Sequence, residues 1–192
     1  MKTLLGNCIH ECFIKKSRFL TNAAYVDSCQ EAEFFFEQHI SRTATHNCWA
    51  FRIAGVARLN DDKEPSGTAG KSIFDVIEMN NLDRIAILVS RWYGGIKLGS
   101  GGLIRAYRFC ASECVNTGIL IDIINYSHLK CKIEISYFSL LNNRLRKMDY
   151  VDLLSEEFYG RFVIIKMKIP YNSMELVVST VNDITKGSVV WL

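Results

Sequence analysis

The 192-residue sequence has little proline, little excess charge and no long apolar run, and each deficit excludes a class of protein. Only Pro65 and Pro170 are present, which argues against long proline-rich linkers. The 23 basic and 20 acidic residues leave a net charge of +3, so bulk charge does not indicate a general nucleic-acid binder. No stretch of about 18 apolar residues could span a bilayer, and no secretory signal is recognisable. We therefore expect a cytoplasmic protein without a membrane partner.

The seven cysteines do not form a recognised metal or redox motif. Cys8 and Cys12 are four positions apart, as are Cys110 and Cys114, whereas zinc and thioredoxin-like motifs place two residues between the cysteines. An odd number of scattered cysteines in a chain of this size is typical of free thiols in a reducing compartment. We predict no metal site and no bound cofactor.

The first two thirds of the sequence alternate between strand-like and helix-like segments. Ser28 followed by Glu31 forms a capping box that predicts a helix to about residue 40, and Gly118 stands where a helix would stop. The hydrophobic pattern predicts strands at 18–26, 48–58, 84–92 and 119–126, and helices at 28–40, 71–80 and 103–117. This arrangement is typical of a sheet covered by helices.

The last third of the sequence has a pattern of its own. A strand at 128–136, a helix at 137–148, two strands around Gly160, a helix ended by Gly187 and a final strand give the order β-α-β-β-α-β. That order is the ferredoxin-like plan. The sequence therefore predicts an α+β protein with two domains, an N-terminal domain at 1–126 and a ferredoxin-like domain at 127–192.

A glycine-rich loop lies between the predicted strand at 84–92 and the helix that follows. It holds five glycines within the nine residues 94–102, and glycine lets a ligand or another backbone approach closely. The following helix would direct free N–H groups towards whatever lies above the loop. The loop matches neither the Walker A pattern nor GxGxxG. Two interpretations stay open, which are binding of phosphate or another anion and a purely architectural turn.

Basic and aromatic residues surround this loop. The segment 84–112 contains five basic residues and no acidic one, and Arg105 and Arg108 are spaced to share a helix face. Such a mixture is typical of single-stranded nucleic-acid binding, although a solvated basic face is the alternative. The candidate phosphate- or nucleic-acid-binding residues are Arg91, Tyr93, Gly94, Gly95, Lys97, Gly99, Ser100, Gly101, Gly102, Arg105 and Arg108.

A second polar loop at 61–70 carries acidic and hydroxyl side chains. We expect it to line a groove or to lock against the glycine-rich loop, with Glu64 or Asp62 pairing with Arg91 or Arg105. A Cys–His nucleophilic site is disfavoured, because His46 and Cys48 are two residues apart on a strand. No catalytic residue is assigned. The candidate groove-lining or loop-locking residues are His46, Asp62, Glu64, Ser66 and Thr68.

Three motifs, at 44–52, 61–70 and 91–107, resemble the signatures of the YigZ/IMPACT family, and the segment 15–19 fits as well. Lys63 and Ser72 depart from the usual pattern, in which glycine and proline are common at these positions. The resemblance implies an N-terminal α/β sandwich of the ribosomal-protein and GHMP-kinase type. It also implies a C-terminal domain similar to the small α/β domains of elongation factor G.

What the resemblance implies about function is a link to translation. The eukaryotic relatives regulate translation during amino-acid starvation, and bacterial relatives have been proposed to bind nucleic acid. We expect a protein that binds RNA, the ribosome or a translation-factor surface, rather than an enzyme. Two alternatives stay open, which are a small enzyme or binder acting on a phosphorylated metabolite or nucleotide at the glycine-rich loop, and a protein–protein interaction module with a translation-related partner.

Overall fold

The computed structural model describes all 192 residues and divides into two compact units, Met1–Ile123 and Ile124–Leu192. None of its helices combines the length and apolar character that crossing a membrane requires. Helices and antiparallel sheets occur in both units, which fits the predicted α+β class. The two named folds stay predictions.

The N-terminal unit is built around a five-stranded antiparallel sheet. In chain order its elements are β1 (Lys2–Leu4), β2 (Cys8–Ile14), β3 (Ser17–Tyr25), α1 (Cys29–His39), β4 (His46–Ile53), β5 (Val56–Asn60), α2 (Gly70–Met79), β6 (Ile85–Trp92), α3 (Ser100–Asn116) and β7 (Leu120–Asp122). The strand order in the main sheet is β2-β3-β6-β4-β5, and β1 and β7 form a separate antiparallel pair.

Helices cover both faces of this sheet. Helices α2 and α3 contribute Ile73 and Tyr107 to a core that includes Phe19 and Ile87 of the sheet. Helix α1 packs on the other face, where Phe36 meets sheet residues of a second core. Because β6 is covered on both sides, almost all of its residues are buried, which explains the continuous apolar run in its sequence.

Two helix ends follow their sequence signals. Ser28 Oγ accepts the Glu31 N–H at 3.2 Å, and the Glu31 carboxylate accepts the Asp27 N–H at 2.8 Å, so the predicted helix start is confirmed. Helix α3 has Thr117 as its C-cap residue, and Gly118 follows it, as predicted. Its role is close packing, because a Cβ atom there would lie 2.3 Å from Cys8 Sγ.

The prediction of one strand over 48–58 is wrong. Strands β4 and β5 form a hairpin whose two turn residues, Ala54 and Gly55, have φ angles of 47° and 86°. Two successive positive φ angles are typical of a type I′ turn, which favours asparagine or aspartate followed by glycine. Alanine in the first position hides that signal, and the apolar pattern continues through the turn.

Several other predicted boundaries also need correction. Helix α3 begins at Ser100 rather than at 103, so two glycines lie in its first turn. The predicted strand at 119–126 is only Leu120–Asp122, because Ile123 to Asn125 leave the sheet before the next strand begins. Strands β1 and β2 had no sequence prediction.

The C-terminal unit has the predicted element order β-α-β-β-α-β. Its elements are β8 (Tyr126–Glu134), α4 (Ile135–Leu145), β9 (Asp152–Tyr159), β10 (Phe162–Pro170), α5 (Met174–Thr185) and β11 (Val190–Trp191). The strands form an antiparallel sheet in the order β11-β8-β10-β9. Alternate residues of β10 are buried against a core that includes Leu141 of α4 and Val181 of α5, so both helices cover one face.

Candidate functional site

A cavity of about 380 Å³ lies in the N-terminal unit, where β4 begins, β6 ends and α3 begins. Both predicted loops contribute to it, since Glu64 comes from the 61–70 loop and Lys97 from the glycine-rich loop. The two loops therefore meet in space. The cavity is lined by Thr45, His46, Glu64, Pro65, Arg91, Tyr93, Lys97, Leu98, Gly99, Ser100 and Leu103.

The sheet register places three of the neighbouring side chains. Arg91 of β6 is paired with His46 of β4 on one side and with Phe19 of β3 on the other. Paired residues of adjacent antiparallel strands point to the same face of a sheet. Since Phe19 belongs to the core under α2 and α3, His46 and Arg91 lie on the face that these helices cover.

Glu64 is the centre of a buried polar network. Its Oε1 atom accepts hydrogen bonds from Arg91 Nη1 at 2.6 Å and from the Tyr107 hydroxyl at 2.8 Å. The Glu64 and Arg91 side chains are only 4% and 5% exposed. Among the pairings left open between Glu64 or Asp62 and Arg91 or Arg105, the structure contains the one between Glu64 and Arg91. This pair neutralises the charge of Arg91 inside the protein.

Arg91 also connects this network to the glycine-rich loop. Its Nη2 donates to Ser17 Oγ at 3.3 Å, and the same oxygen accepts the Gly94 N–H at 3.3 Å. The Arg91 Nε atom is buried and has no partner. Sequence reasoning missed Ser17 as a site residue, because nothing local to residue 17 indicates its partners far along the chain.

His46 turns one ring nitrogen towards the cavity network. Its Nδ1 atom lies 2.8 Å from the Asp62 carbonyl oxygen, which can only accept, so Nδ1 carries a proton. Its Nε2 atom lies 3.8 Å from Glu64 Oε1. When the imidazole is neutral, Nε2 is therefore a hydrogen-bond acceptor beside the Glu64 carboxylate.

Tyr107 and Cys48 close the network on its buried side. The Cys48 thiol lies 3.4 Å from the Tyr107 hydroxyl and 3.0 Å from the Asp61 carbonyl oxygen. Burial raises the pKa of Cys48 to about 12 and raises the pKa of Tyr107 above its ordinary value. Both groups are protonated at neutral pH, and a protonated thiol is a poor nucleophile.

Asp61 shapes the 61–70 loop, and sequence reasoning missed it. Its Oδ1 atom accepts the N–H groups of Ala69 and Gly70 at 2.9 and 2.8 Å, and its Oδ2 atom accepts the Gly67 N–H at 2.8 Å. The carboxylate therefore fills the N-terminus of α2, where no adjacent side chain caps the helix. An aspartate before a Ser-Gly-Thr-Ala-Gly helix start was the available signal.

The other predicted residues of this loop hold its shape or stay at its surface. Asp62 Oδ2 accepts the Asn47 N–H at 2.6 Å, and Thr68 Oγ1 donates to the Pro65 carbonyl at 2.6 Å. Ser66 is exposed. Asp62, Ser66 and Thr68 do not line the cavity, whereas Glu64 and His46 do.

The start of α3 differs from that of α2, because no acceptor of the protein fills it. Gly99 precedes the helix with φ of 72° and provides no side-chain cap. The N–H groups of Ser100, Gly101 and Gly102 have no hydrogen-bond partner within the protein. Gly99 and Ser100 line the cavity, so an anion there would meet the free N–H groups and the positive end of the helix dipole.

The predicted basic residues do not lie together: two line separate cavities and one forms an ion pair with another helix. Lys97 lines the cavity and forms no ion pair. Arg105 lines a neighbouring cavity of about 260 Å³ together with Lys15, and Leu98 lines both cavities. Arg108 instead pairs with Asp75 of α2 at 2.6 Å, so Arg105 and Arg108 do not act as one face.

The remaining glycines have separate structural roles. A Cβ atom on Gly94 would lie 1.9 Å from the Lys16 carbonyl oxygen, so this glycine lets the β2–β3 turn pack against the loop. Gly95 has φ of 86° and faces open space. Gly101 and Gly102 form the first turn of α3 rather than part of the loop.

Comparisons with known proteins agree with the resemblance seen in the motifs. A family model described as the Impact N-terminal domain matches residues 15–115. The chain is 33% identical over 185 residues to the IMPACT family member YvyE of Bacillus subtilis, covering 93% of this chain and 83% of that protein. It is 30% identical over 186 residues to the IMPACT family member YigZ of Escherichia coli, covering 91% of this chain and 88% of that protein.

The fold is also similar to that of a solved structure. A crystal structure of a hypothetical protein superposes with a TM-score of 0.67 at 24% identity and covers 100% of this chain and 95% of its own. At that identity the likeness concerns the fold alone. The matched family model and the relatives that extend along most of the chain establish that this protein belongs to the IMPACT family.

Proposed function

We propose that the N-terminal unit binds RNA at the start of α3 and that the protein acts on the translation apparatus. One observation carries this proposal. Lys97 lines the cavity at an uncapped helix N-terminus, Arg105 and Lys15 line the neighbouring cavity beyond Leu98, and none of the three has an acidic partner. The acidic residue that lines the same cavity, Glu64, is already paired with Arg91. The mouth of the cavity is therefore net positive.

Each part of this surface suits one part of an RNA strand. The free N–H groups at the start of α3 would donate hydrogen bonds to one phosphate, and the Lys97 ammonium would form an ion pair with it. Arg105 and Lys15, beyond Leu98, suit a second phosphate along the strand. Tyr93 is 45% exposed and lines the cavity, so its ring is available for stacking against a base.

The family resemblance supports a partner in translation. Its eukaryotic members regulate translation, and the predicted likeness of the C-terminal unit to small domains of elongation factor G points to the ribosome. Ribosomal RNA would provide the phosphates that the basic surface requires. On this proposal the protein is a binding protein, and its buried polar network shapes the site.

A phosphorylated metabolite or free nucleotide is the second candidate ligand. The cavity volume of about 380 Å³ favours it, because small-molecule sites fall in roughly the 300–1,000 Å³ range. Thermal unfolding in the presence of a panel of nucleotides and sugar phosphates tests this candidate. An unchanged midpoint with every compound in the panel would reject it.

Charge reversal tests the RNA proposal. Lys97→Glu combined with Arg105→Glu should weaken binding of a fluorescent single-stranded RNA by roughly tenfold or more at low salt. The matched control, Arg52→Glu with Arg58→Glu, makes the same change in net charge at the β4–β5 hairpin. It should leave RNA affinity nearly unchanged.

Salt dependence provides an independent readout. Binding by the natural sequence should weaken steeply as salt rises, because counterions are released from the RNA. The Lys97→Glu, Arg105→Glu variant should show a shallower dependence. RNA affinity that is equal in this variant and in the natural sequence would overturn the proposal.

A further inference from the structure

We infer that the cavity recognises ribose, with Glu64 and His46 accepting hydrogen bonds from the hydroxyl groups of a ribonucleotide whose phosphate lies at the start of α3. This inference rests on the proposed function and names the sugar that the same site selects. It assigns Glu64 and His46 a role in specificity in addition to their part in the buried network.

The first observation is the unused oxygen of Glu64. Both of its hydrogen bonds, from Arg91 and from Tyr107, end on Oε1. The Oε2 atom has no partner within the protein, and it is not among the fully enclosed atoms although the side chain is only 4% exposed. Because Glu64 lines the cavity, this oxygen can accept a hydrogen bond from water there or from a ligand donor that replaces the water.

The second observation is the orientation of His46. Its Nδ1 proton is engaged by the Asp62 carbonyl, so the neutral ring presents Nε2 as an acceptor. That atom is 3.8 Å from Glu64 Oε1. When the imidazole is neutral, the cavity therefore contains two neighbouring acceptors, and hydrogen bonds within the protein hold both side chains in place.

Two acceptors at the cavity favour a ligand that carries donor groups. A bare phosphate offers mainly acceptor oxygens, so it leaves these two atoms without a donor. The start of α3 and Lys97 attract an anion at the same cavity. The matching ligand combines hydroxyl donors with an anionic group, and a ribose phosphate has both.

The proposed pairing separates RNA from DNA. The ribose 2′-hydroxyl is a donor that deoxyribose lacks, and proteins use it to distinguish the two nucleic acids. A deoxyribonucleotide in the cavity would exclude water while leaving a buried acceptor unpaired. Sites built to bond a hydroxyl discriminate strongly against analogues without it.

The decisive experiment compares three strands of identical base sequence with the full-length protein. Fluorescence anisotropy would measure the affinity of single-stranded RNA, of single-stranded DNA and of RNA methylated at every 2′-oxygen. We expect RNA to bind at least roughly tenfold more tightly than either of the others. Equal affinity for RNA and DNA would overturn the inference and leave the proposed function standing. Failure to bind either strand would overturn the proposed function.

Two variants then test the residue assignment. Glu64→Gln and His46→Ala should each reduce the ratio of RNA to DNA affinity towards one, whereas Arg52→Glu should keep the ratio of the natural sequence. Circular dichroism and thermal unfolding would verify that each variant is folded. A full RNA preference in both folded variants would overturn the assignment to Glu64 and His46.

Discussion

Arg91 Nη1 and Glu64 Oε1 lie 2.6 Å apart, and both side chains are almost completely enclosed by the N-terminal unit. The pair joins the end of β6 to the 61–70 loop, and Tyr107 adds a third element through the same oxygen. Removing two charges from water costs free energy, so each of these buried charges is stable only when its partner is present. Because the pair holds the 61–70 loop against the end of β6, it fixes the shape of the cavity between them.

Loss of one partner should be strongly destabilising. In Glu64→Ala the Arg91 guanidinium would stay buried without an opposite charge, and the Tyr107 hydroxyl would lose its acceptor. We expect the free energy of unfolding to fall by roughly 3–5 kcal/mol, measured by urea denaturation. The control Arg58→Ala breaks an exposed pair with Glu33 and should cost less than about 1 kcal/mol. Equal losses in the two variants would contradict the role given to the buried pair.

Two glycines of the same motif should respond to alanine in opposite ways. In Gly94→Ala the new methyl group would overlap the Lys16 backbone, which cannot move without shifting β2 and β3, so we expect a loss of roughly 1–3 kcal/mol or more. In Gly101→Ala the nearest atom is Arg105 Nη1 at 3.6 Å, and alanine favours the helix. We expect a gain of up to about 1 kcal/mol.

Thermal unfolding of the two glycine variants under one buffer condition gives the measurement. The unfolding midpoint should fall in Gly94→Ala and stay level or rise in Gly101→Ala. A similar drop in both variants would show that the loop requires flexibility at each glycine rather than close packing at Gly94.

The ion pairs of Asp75 should make part of the stability depend on pH. Burial opposes ionisation of Asp75, but hydrogen bonds from Lys71 and Arg108 outweigh it and hold the pKa below its ordinary value. The stabilisation is therefore fully present above the unfolded pKa, about 3.9, and is lost as pH falls through the lower folded pKa. Asp75→Asn should be less stable than the natural sequence at pH 7.

The difference between these two proteins should shrink as the solution is acidified below the unfolded pKa of aspartate. Urea denaturation at a series of pH values would measure it. A difference that is constant across the acid range would show that the asparagine disturbs packing between α2 and α3 rather than an ion pair.

Cys12 of β2 and Cys110 of α3 should form a disulfide under oxidising treatment. Their sulfur atoms are 3.3 Å apart, and a disulfide requires about 2.05 Å, so a small movement suffices. Treatment with diamide would remove one hydrogen from each thiol and join the two sulfurs. Burial raises the pKa of both thiols, so the reaction should be slow at neutral pH and faster as pH rises.

Mass spectrometry of an unreduced digest would detect the crosslinked peptide. Cys12→Ser should abolish it, whereas Cys29→Ser, which changes a thiol of α1, should leave it intact. A crosslink between other cysteines in its place would contradict the geometry of β2 against α3.

Local signals predicted most of the elements and the two loops. Partners on distant elements were mostly missed, and the pair of Glu64 with Arg91 was offered only as one of several pairings. The helix start at Ser28 and the buried strand β6 depend on residues that are close in sequence, so the sequence alone was sufficient to predict both. The pairing of Arg108 with Asp75 depends on how α2 packs against α3, which no spacing in the sequence specifies. The polar role of Tyr107 was hidden for the same reason, since aromatic residues of this kind are most often core.

The register that pairs His46 with Arg91 also determines when the site can exist during folding. Glu64 is 27 positions from Arg91 and 43 from Tyr107, and Arg91 is 74 from Ser17. A slip of one residue in β6 would turn Arg91 to the opposite face of the sheet and dismantle the network. A chain still being synthesised therefore cannot complete this site until Tyr107 has emerged, and any ligand that binds here recognises the finished sheet.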